Sequence, residues 1–191
     1  MSEPEAVVDF WLHEIGPSGW YVEAAEVDEE IRSRFGAEWA AARAGERDYW
    51  CNGPRGTLAF LILTDQFPRN MFRGTGDAFA TDERAREAAR KAVGKEFDLS
   101  VREPERIFFY MPFEHSEKLE DQDFAVDLVQ RNMIQSRDEY LRHARAHREI
   151  IRRFGRFPFR NEALGRKMTP EETEFIEKGG YRGVLNALDD T

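Results

Sequence analysis

The amino-acid sequence predicts an all-α protein. Apolar residues recur three and four positions apart over most of its length, the spacing of helices with one buried face. Helix-start and helix-stop residues bracket those stretches. A single segment, Leu58 to Leu63, has the composition of a buried strand, and no second strand exists to pair with it.

The elements follow in order. Residues 5–15 place Val7, Val8, Trp11, Leu12 and Ile15 on one face, and Gly16-Pro17 ends that helix. Residues 23–44 continue the pattern with Val27, Ile31, Phe35 and Trp39, and Gly36 is positioned to break the stretch in two. Leu58 to Leu63 is apolar on every side, which favours a central buried helix. Its end is expected at Phe67-Pro68, because proline crowds the preceding residue out of helical geometry. Thr81 opens the next helix with Asp82 and Glu83 in the first turn, where carboxylates suit the helix dipole. Ala85, Ala88, Ala89 and Ala92 give it a small-residue stripe, and Gly94 a C-terminal cap. Ser100 and Glu103 form a capping box for a helix running to Tyr110.

Leu119 to about Gln135 is the next helix, with Ala125, Val126, Val129 and Met133 inward. Ser136 and Glu139 form a second box. The helix they start carries Tyr140, Ala144, His147, Ile151 and Phe154 on one stripe and is capped by Gly155. Thr169-Pro170-Glu171-Glu172 starts the last helix, with Thr169 as cap, Pro170 in the first turn and Glu172 completing the capping box. The tail after Gly179 is expected to be loosely ordered. No linker and no 34-residue repeat divides the chain, so residues 1–191 read as one domain.

Composition narrows the function classes. The chain is 41 % hydrophobic and 13 % aromatic, which supports an aromatic-rich core and argues against disorder. Cys51 is the one cysteine, so an internal disulfide is impossible and a reducing cytoplasm is the expected compartment. As a nucleophile Cys51 competes with the plainer reading of a buried thiol beside Tyr49 and Trp50. No apolar run approaches a membrane span, and the acidic start does not resemble a signal peptide. The net charge of −9 disfavours nucleic-acid binding. Residues 131–167 nonetheless hold 11 basic and 4 acidic residues, a local +7 that leaves −16 for the rest. That stretch reads either as a solvated, ion-paired face or as an anion site, since arginine forks match carboxylate and phosphate.

Three polar segments stand where helices stop. They are Asp65-Gln66-Phe67-Pro68-Arg69-Asn70 with Arg73, then Glu114-His115-Ser116-Glu117, then Arg153-Phe154-Gly155-Arg156-Phe157-Pro158-Phe159-Arg160-Asn161. The first and third echo one another: Phe anchors, Pro fixes the exit direction, and Arg and Asn are presented from the turn. Two such turns side by side would gather fixed donors for an anion. The alternative is that the arginines bond helix C-terminal carbonyls and pair with Asp65, Glu114 or Glu117. In the middle segment a carboxylate orienting an imidazole suits a general base; otherwise Ser116 caps the next helix and His115 is a loop residue. His143 and His147 lie four apart, a metal-compatible spacing, but the glutamate of an H-E-x-x-H helix is missing and His147 sits on the apolar stripe. No metal and no cofactor is expected.

Leu58 through Asn70, Phe72-Arg73-Gly74-Thr75, Ala78 to Asp82, Phe109 to Glu117 and Arg153 to Pro158, with the opening Val8-Asp9-Phe10-Trp11, together resemble the signature of a bacterial family of unknown function, domain of unknown function 924. The resemblance covers roughly residues 7–176. It departs where the family pattern reads Phe-Pro-His-Arg-Asn and this chain has Phe159. It implies antiparallel helical hairpins in a tetratricopeptide-like right-handed superhelix, and no established activity. Such scaffolds serve many functions and often bind peptides in a groove.

The expected site gathers Asp65, Gln66, Arg69, Asn70, Arg73, Arg106, His147, Arg153, Arg156, Arg160 and Asn161 around an anionic small molecule or peptide. His115, held by Glu114 or Glu117, is its acid or base. The competing expectation is a helical adaptor whose polar turns are purely structural. Oligomeric state is not legible.

Overall fold

A computed structural model describes residues 3–189. The chain divides into two compact units, Met1–Pro112 and Phe113–Thr191. Among the described residues every regular element is helical.

In the first unit, α1 (Glu3–Asp9) passes into a π-helical turn, Phe10–Ile15, and Gly16 ends it at φ +70°. Helix α2 (Ala25–Arg43) is unbroken, contrary to the break expected at Gly36. Ile31, Phe35, Trp39 and Ala42 are buried on both sides of that glycine. Their packing outweighs a glycine penalty of about 1 kcal/mol. The segment Leu58 to Leu63 is a buried helix, as the missing partner strand implied.

That helix does not end before Pro68. Helix α3 (Pro54–Leu61), a π-helical turn (Ile62–Gln66) and α4 (Phe67–Met71) form one continuous run. Proline has no N–H to give the carbonyl four residues back, Thr64. The wide turn absorbs the proline, with the Phe67 N–H reaching back five residues to the Ile62 carbonyl. The orphaned Thr64 carbonyl accepts from Thr81 Oγ1 at 2.6 Å. Thr81 Oγ1 in turn accepts from the indole N–H of Trp39 at 3.1 Å. Thr81 therefore precedes α5 (Asp82–Gly94) as expected, but its hydroxyl closes a neighbour's broken ladder and makes no cap bond to its own helix.

Other start and stop signals are also redirected. Glu96, at φ +58°, takes the left-handed position after α5 that was expected of Gly94. It places the Phe97 N–H on the Ala92 carbonyl at 3.0 Å. Ser100 and Glu103 do not open a helix. Pro104 would occupy the fourth helical position, where its missing N–H is needed by the Ser100 carbonyl. The chain makes a short 3-10 turn, Glu105–Phe109, instead.

A single turn, α6 (Met111–Glu114), precedes α7 (Leu119–Asn132) and α8 (Arg137–Phe154), which pack along each other across a short connection. Ser136 stands at the N-cap of α8 without a side-chain cap bond, and Gly155 ends the helix at φ +67°. Thr169 and Glu172 form the predicted capping box of α9 (Pro170–Glu177). The segment after Gly179, expected to be loose, is helix α10 (Gly180–Asp189). Gly179 and Gly180, at φ +97° and +52°, reverse the chain so that Val184 buries against Ile150, Ile151, Phe157 and Phe175.

Thr81→Val keeps the volume and removes the hydroxyl, stranding the Trp39 N–H and the Thr64 carbonyl. The expected cost is about 2–6 kcal/mol, from about 1–3 kcal/mol for each of the two buried groups left unpaired. Thr81→Ser retains both bonds and is expected to cost about 1 kcal/mol for the lost methyl. Urea unfolding of the two variants measures the difference.

Candidate functional site

The Phe-Pro-Arg-Asn turn of the first unit is held from two sides. Phe67 is fully buried. Arg69 forks onto Asp82 with both nitrogen–oxygen distances at 3.0 Å, and also donates to the Asp65 carbonyl. Gln66 donates to the Asp65 carboxylate. Burial opposes the Arg69 charge, yet Asp65 and Asp82 push its pKa above the usual value. Asn70 donates to Asp28 Oδ1 at 2.7 Å, and Arg73 Nε to Asp28 Oδ2 at 2.5 Å. Against the cost of burial, those two bonds hold the Asp28 carboxyl below its usual range. The turn thus ties α4 to α2 and α5. Arg106 donates to the carbonyls of Asp98 and Val101 at 3.2 and 3.0 Å.

The echoing turn in the second unit does similar work. Phe157 is buried, and the Arg160 guanidinium lies 4.5 Å from its ring centroid. Arg156 forks onto Glu172 at 2.6 and 2.8 Å and reaches the Lys167 carbonyl at 2.9 Å. Asn161 adds a bond to Glu172 at 3.2 Å. The Arg156 bonds, with the Thr169 N–H, hold the Glu172 carboxyl down to about 2. Glu117 receives Arg166 at 2.7 and 2.9 Å and the Phe157 N–H at 2.8 Å. Arg153 stacks on the rings of Phe154 and Phe175.

The first unit therefore gathers Asp65, Gln66 and Arg69 in one network and Asn70 with Arg73 in another, with Arg106 on main-chain oxygens. The second gathers Arg156 with Asn161, and Glu117 with Arg166. The acidic partners Asp82, Asp28 and Glu172 were not anticipated. Each lies in another element, and nothing in the spacing of the turns points to it.

A different cluster forms within the second unit. Gln122 on α7 donates to the carbonyls of Glu114 and Ser116 at 2.6 and 2.7 Å, which fixes the Glu114-His115-Ser116 turn. The Ser116 hydroxyl bonds Asp121 at 2.6 Å and is not the N-cap of α7. Glu114 keeps 3 % exposure and lies with Oε2 3.2 Å from His147 Nδ1, in ion-pairing reach but not aligned for a hydrogen bond. Glu114 Oε1 is buried without a hydrogen-bond partner. The His115 ring stands edge-on to His147 at 6.1 Å, and Tyr181 of α10 lies 4.9 Å from the His147 ring. The Tyr181 hydroxyl is 2.6 Å from His143 Nδ1. Burial lowers the His143 pKa and raises that of Tyr181, so the imidazole tends to neutrality and the phenol keeps its proton. The charge of Arg142 reaches both.

Sequence reasoning placed Glu114, His115 and His147 in the candidate site, considered His143 only as a metal ligand, and missed Tyr181. Among the described residues no group of three or more metal-binding side chains assembles. Burial pushes the Cys51 thiol up to about 11, which makes it a poor nucleophile.

Fold and cluster together define an all-helical protein with a half-buried carboxylate–imidazole–phenol constellation. The chain belongs to the family described as bacterial protein of unknown function, DUF924, whose model matches residues 7–180. It is also similar to the solved structure of the protein of unknown function ATU0120 from Agrobacterium tumefaciens, at 42% identity and a TM-score of 0.86, over 92% of this chain and 97% of that one. No curated protein matches.

The depressed Glu172 carboxyl stabilises the fold while ionised. That contribution is complete above the ordinary glutamate value near 4.5 and is lost as pH falls from there toward 2. Glu172→Gln removes this part of the acid limb, so its melting temperature is expected to fall less than that of wild type over the same range in calorimetric scans.

Proposed function

We propose that the second unit binds an anionic small molecule at the Glu114, His115, His143, His147 and Tyr181 cluster, with His147 as the proton acceptor. The contact that carries this reading is the one between Glu114 and His147. A carboxylate with 3 % exposure is costly to bury unless an opposing charge or donor faces it. Here it faces an imidazole at 3.2 Å and keeps a second oxygen uncommitted. Carboxylate-supported imidazoles are the common general bases of enzymes. Arg142 supplies positive charge beside the rings.

The arginine turns have a different role. Arg69, Arg73 and Arg156 are committed to carboxylates, which favours a locking role over ligand capture. The helical hairpins are consistent with a tetratricopeptide-like right-handed superhelix, and the single cysteine with a reducing cytoplasm. Among the described residues no helix is long and apolar enough to cross a membrane. A peptide-binding adaptor is the second reading. A groove of about 390 Å³ lined in part by Phe175, Val184 and Leu188 favours it.

A thermal-shift screen against short carboxylates and phosphate monoesters tests the proposal. At least one compound is expected to raise the melting temperature of wild type and of Arg156→Ala, the latter from a lower baseline, and to lose its effect in His147→Asn. Stabilisation that survives His147→Asn but vanishes in Arg69→Ala or Arg156→Ala overturns it.

A further inference from the structure

The two imidazoles of α8 meet different partners, and the difference fixes where their protons sit. His147 turns Nδ1 to a carboxylate oxygen 3.2 Å away. The pair is not aligned for a hydrogen bond, but a negative charge this close favours a proton on Nδ1 over a bare lone pair. In the neutral ring Nε2 is then an acceptor. His147 Nδ1 is sealed from solvent while the side chain keeps 17 % exposure, so solvent meets the side chain elsewhere than at Nδ1.

His143 turns Nδ1 to a phenol oxygen 2.6 Å away. The Tyr181 hydroxyl has one proton to donate, and His143 Nδ1 is its hydrogen-bond partner among the described residues. A phenol proton left unpaired in a mostly buried site is costly. Tyr181 therefore donates, His143 Nδ1 accepts, and the His143 proton resides on Nε2.

We infer that His143 and His147 are locked in opposite tautomers, so that one helix face offers a hydrogen-bond donor at His143 Nε2 and an acceptor at His147 Nε2. This rests on the acid–base reading of the cluster and adds its polarity. Glu114 and Tyr181 are positioning residues that act through the rings. The ligand class that matches is a 2-hydroxycarboxylate. Its hydroxyl donates to His147 Nε2, and its carboxylate accepts from His143 Nε2–H beside the Arg142 charge.

Long-range proton–nitrogen correlation spectra of the full chain, recorded where free imidazole is neutral, read each tautomer directly. His147 is expected in the Nδ1–H form and His143 in the Nε2–H form. Glu114→Gln returns His147 to the Nε2–H form usual in water. Tyr181→Phe shifts the His143 Nδ1 signal to that of an unbonded ring nitrogen and leaves His147 unchanged. An Nε2–H form of His147 in wild type, or an unmoved His143 in Tyr181→Phe, overturns the inference. Lactate is expected to shift both Nε2 signals, and propionate, which lacks the hydroxyl, only that of His143. Equal responses to the two acids contradict the ligand class. Opposite tautomers with no response to either acid contradict the binding proposal and leave the polarity standing.

Discussion

Ionised side chains taken out of water need an opposing charge or a set of dipoles, or they lose their charge. That requirement sorts the polar residues of this molecule. Glu172, at 2 % exposure, receives Arg156, Asn161 and the Thr169 N–H, and its carboxyl oxygens are covered. Asp28 receives Asn70 and Arg73, and Asp82 receives Arg69. Glu114 is as deeply buried as Glu172 and is treated differently. It meets an imidazole instead of a guanidinium, and one of its oxygens is left without a bond. A guanidinium stays protonated throughout the accessible pH range, whereas an imidazole exchanges its proton near neutrality. The first kind of pair suits a fixed lock, and the second suits chemistry.

The two Phe-Pro turns show the same economy of design at different scales. In each, a buried phenylalanine anchors the corner, and the asparagine and an arginine of the segment bind a carboxylate carried by another element. The resulting rigidity bears on the cluster. Phe157 anchors the second turn, packs edge-on against the His147 ring at 5.7 Å, and has its N–H bound by Glu117. Glu117 thus holds the wall behind the imidazole.

Much of the architecture was legible because helices announce themselves by period and by their ends. The buried run from Leu58 to Leu63, the stripe of α8, the Gly155 stop and the Thr169–Glu172 box are all local signals. What misled was equally local. Pro68 reads as a terminator, and only the distant Thr81 hydroxyl shows how the chain passes through it. Ser100 and Glu103 read as a box until Pro104 is placed at the position whose N–H the first helical turn requires. Of the cluster, Glu114, His115 and His147 were visible as a motif and a stripe. Tyr181 was hidden behind the two glycines, although Tyr181, Val184, Leu185 and Leu188 have the three-and-four spacing of a helix that packs on α8.

The proposed acid–base chemistry belongs to the histidine cluster and not to the arginine turns. Chemical-shift mapping of the backbone amides during titration with a stabilising anion locates binding without reference to activity. The expected result is that the perturbed residues concentrate around Glu114–His115, His143–His147 and the start of α10. Perturbations centred on Arg69 to Arg73, or on Arg156 to Asn161 with the cluster silent, would contradict it.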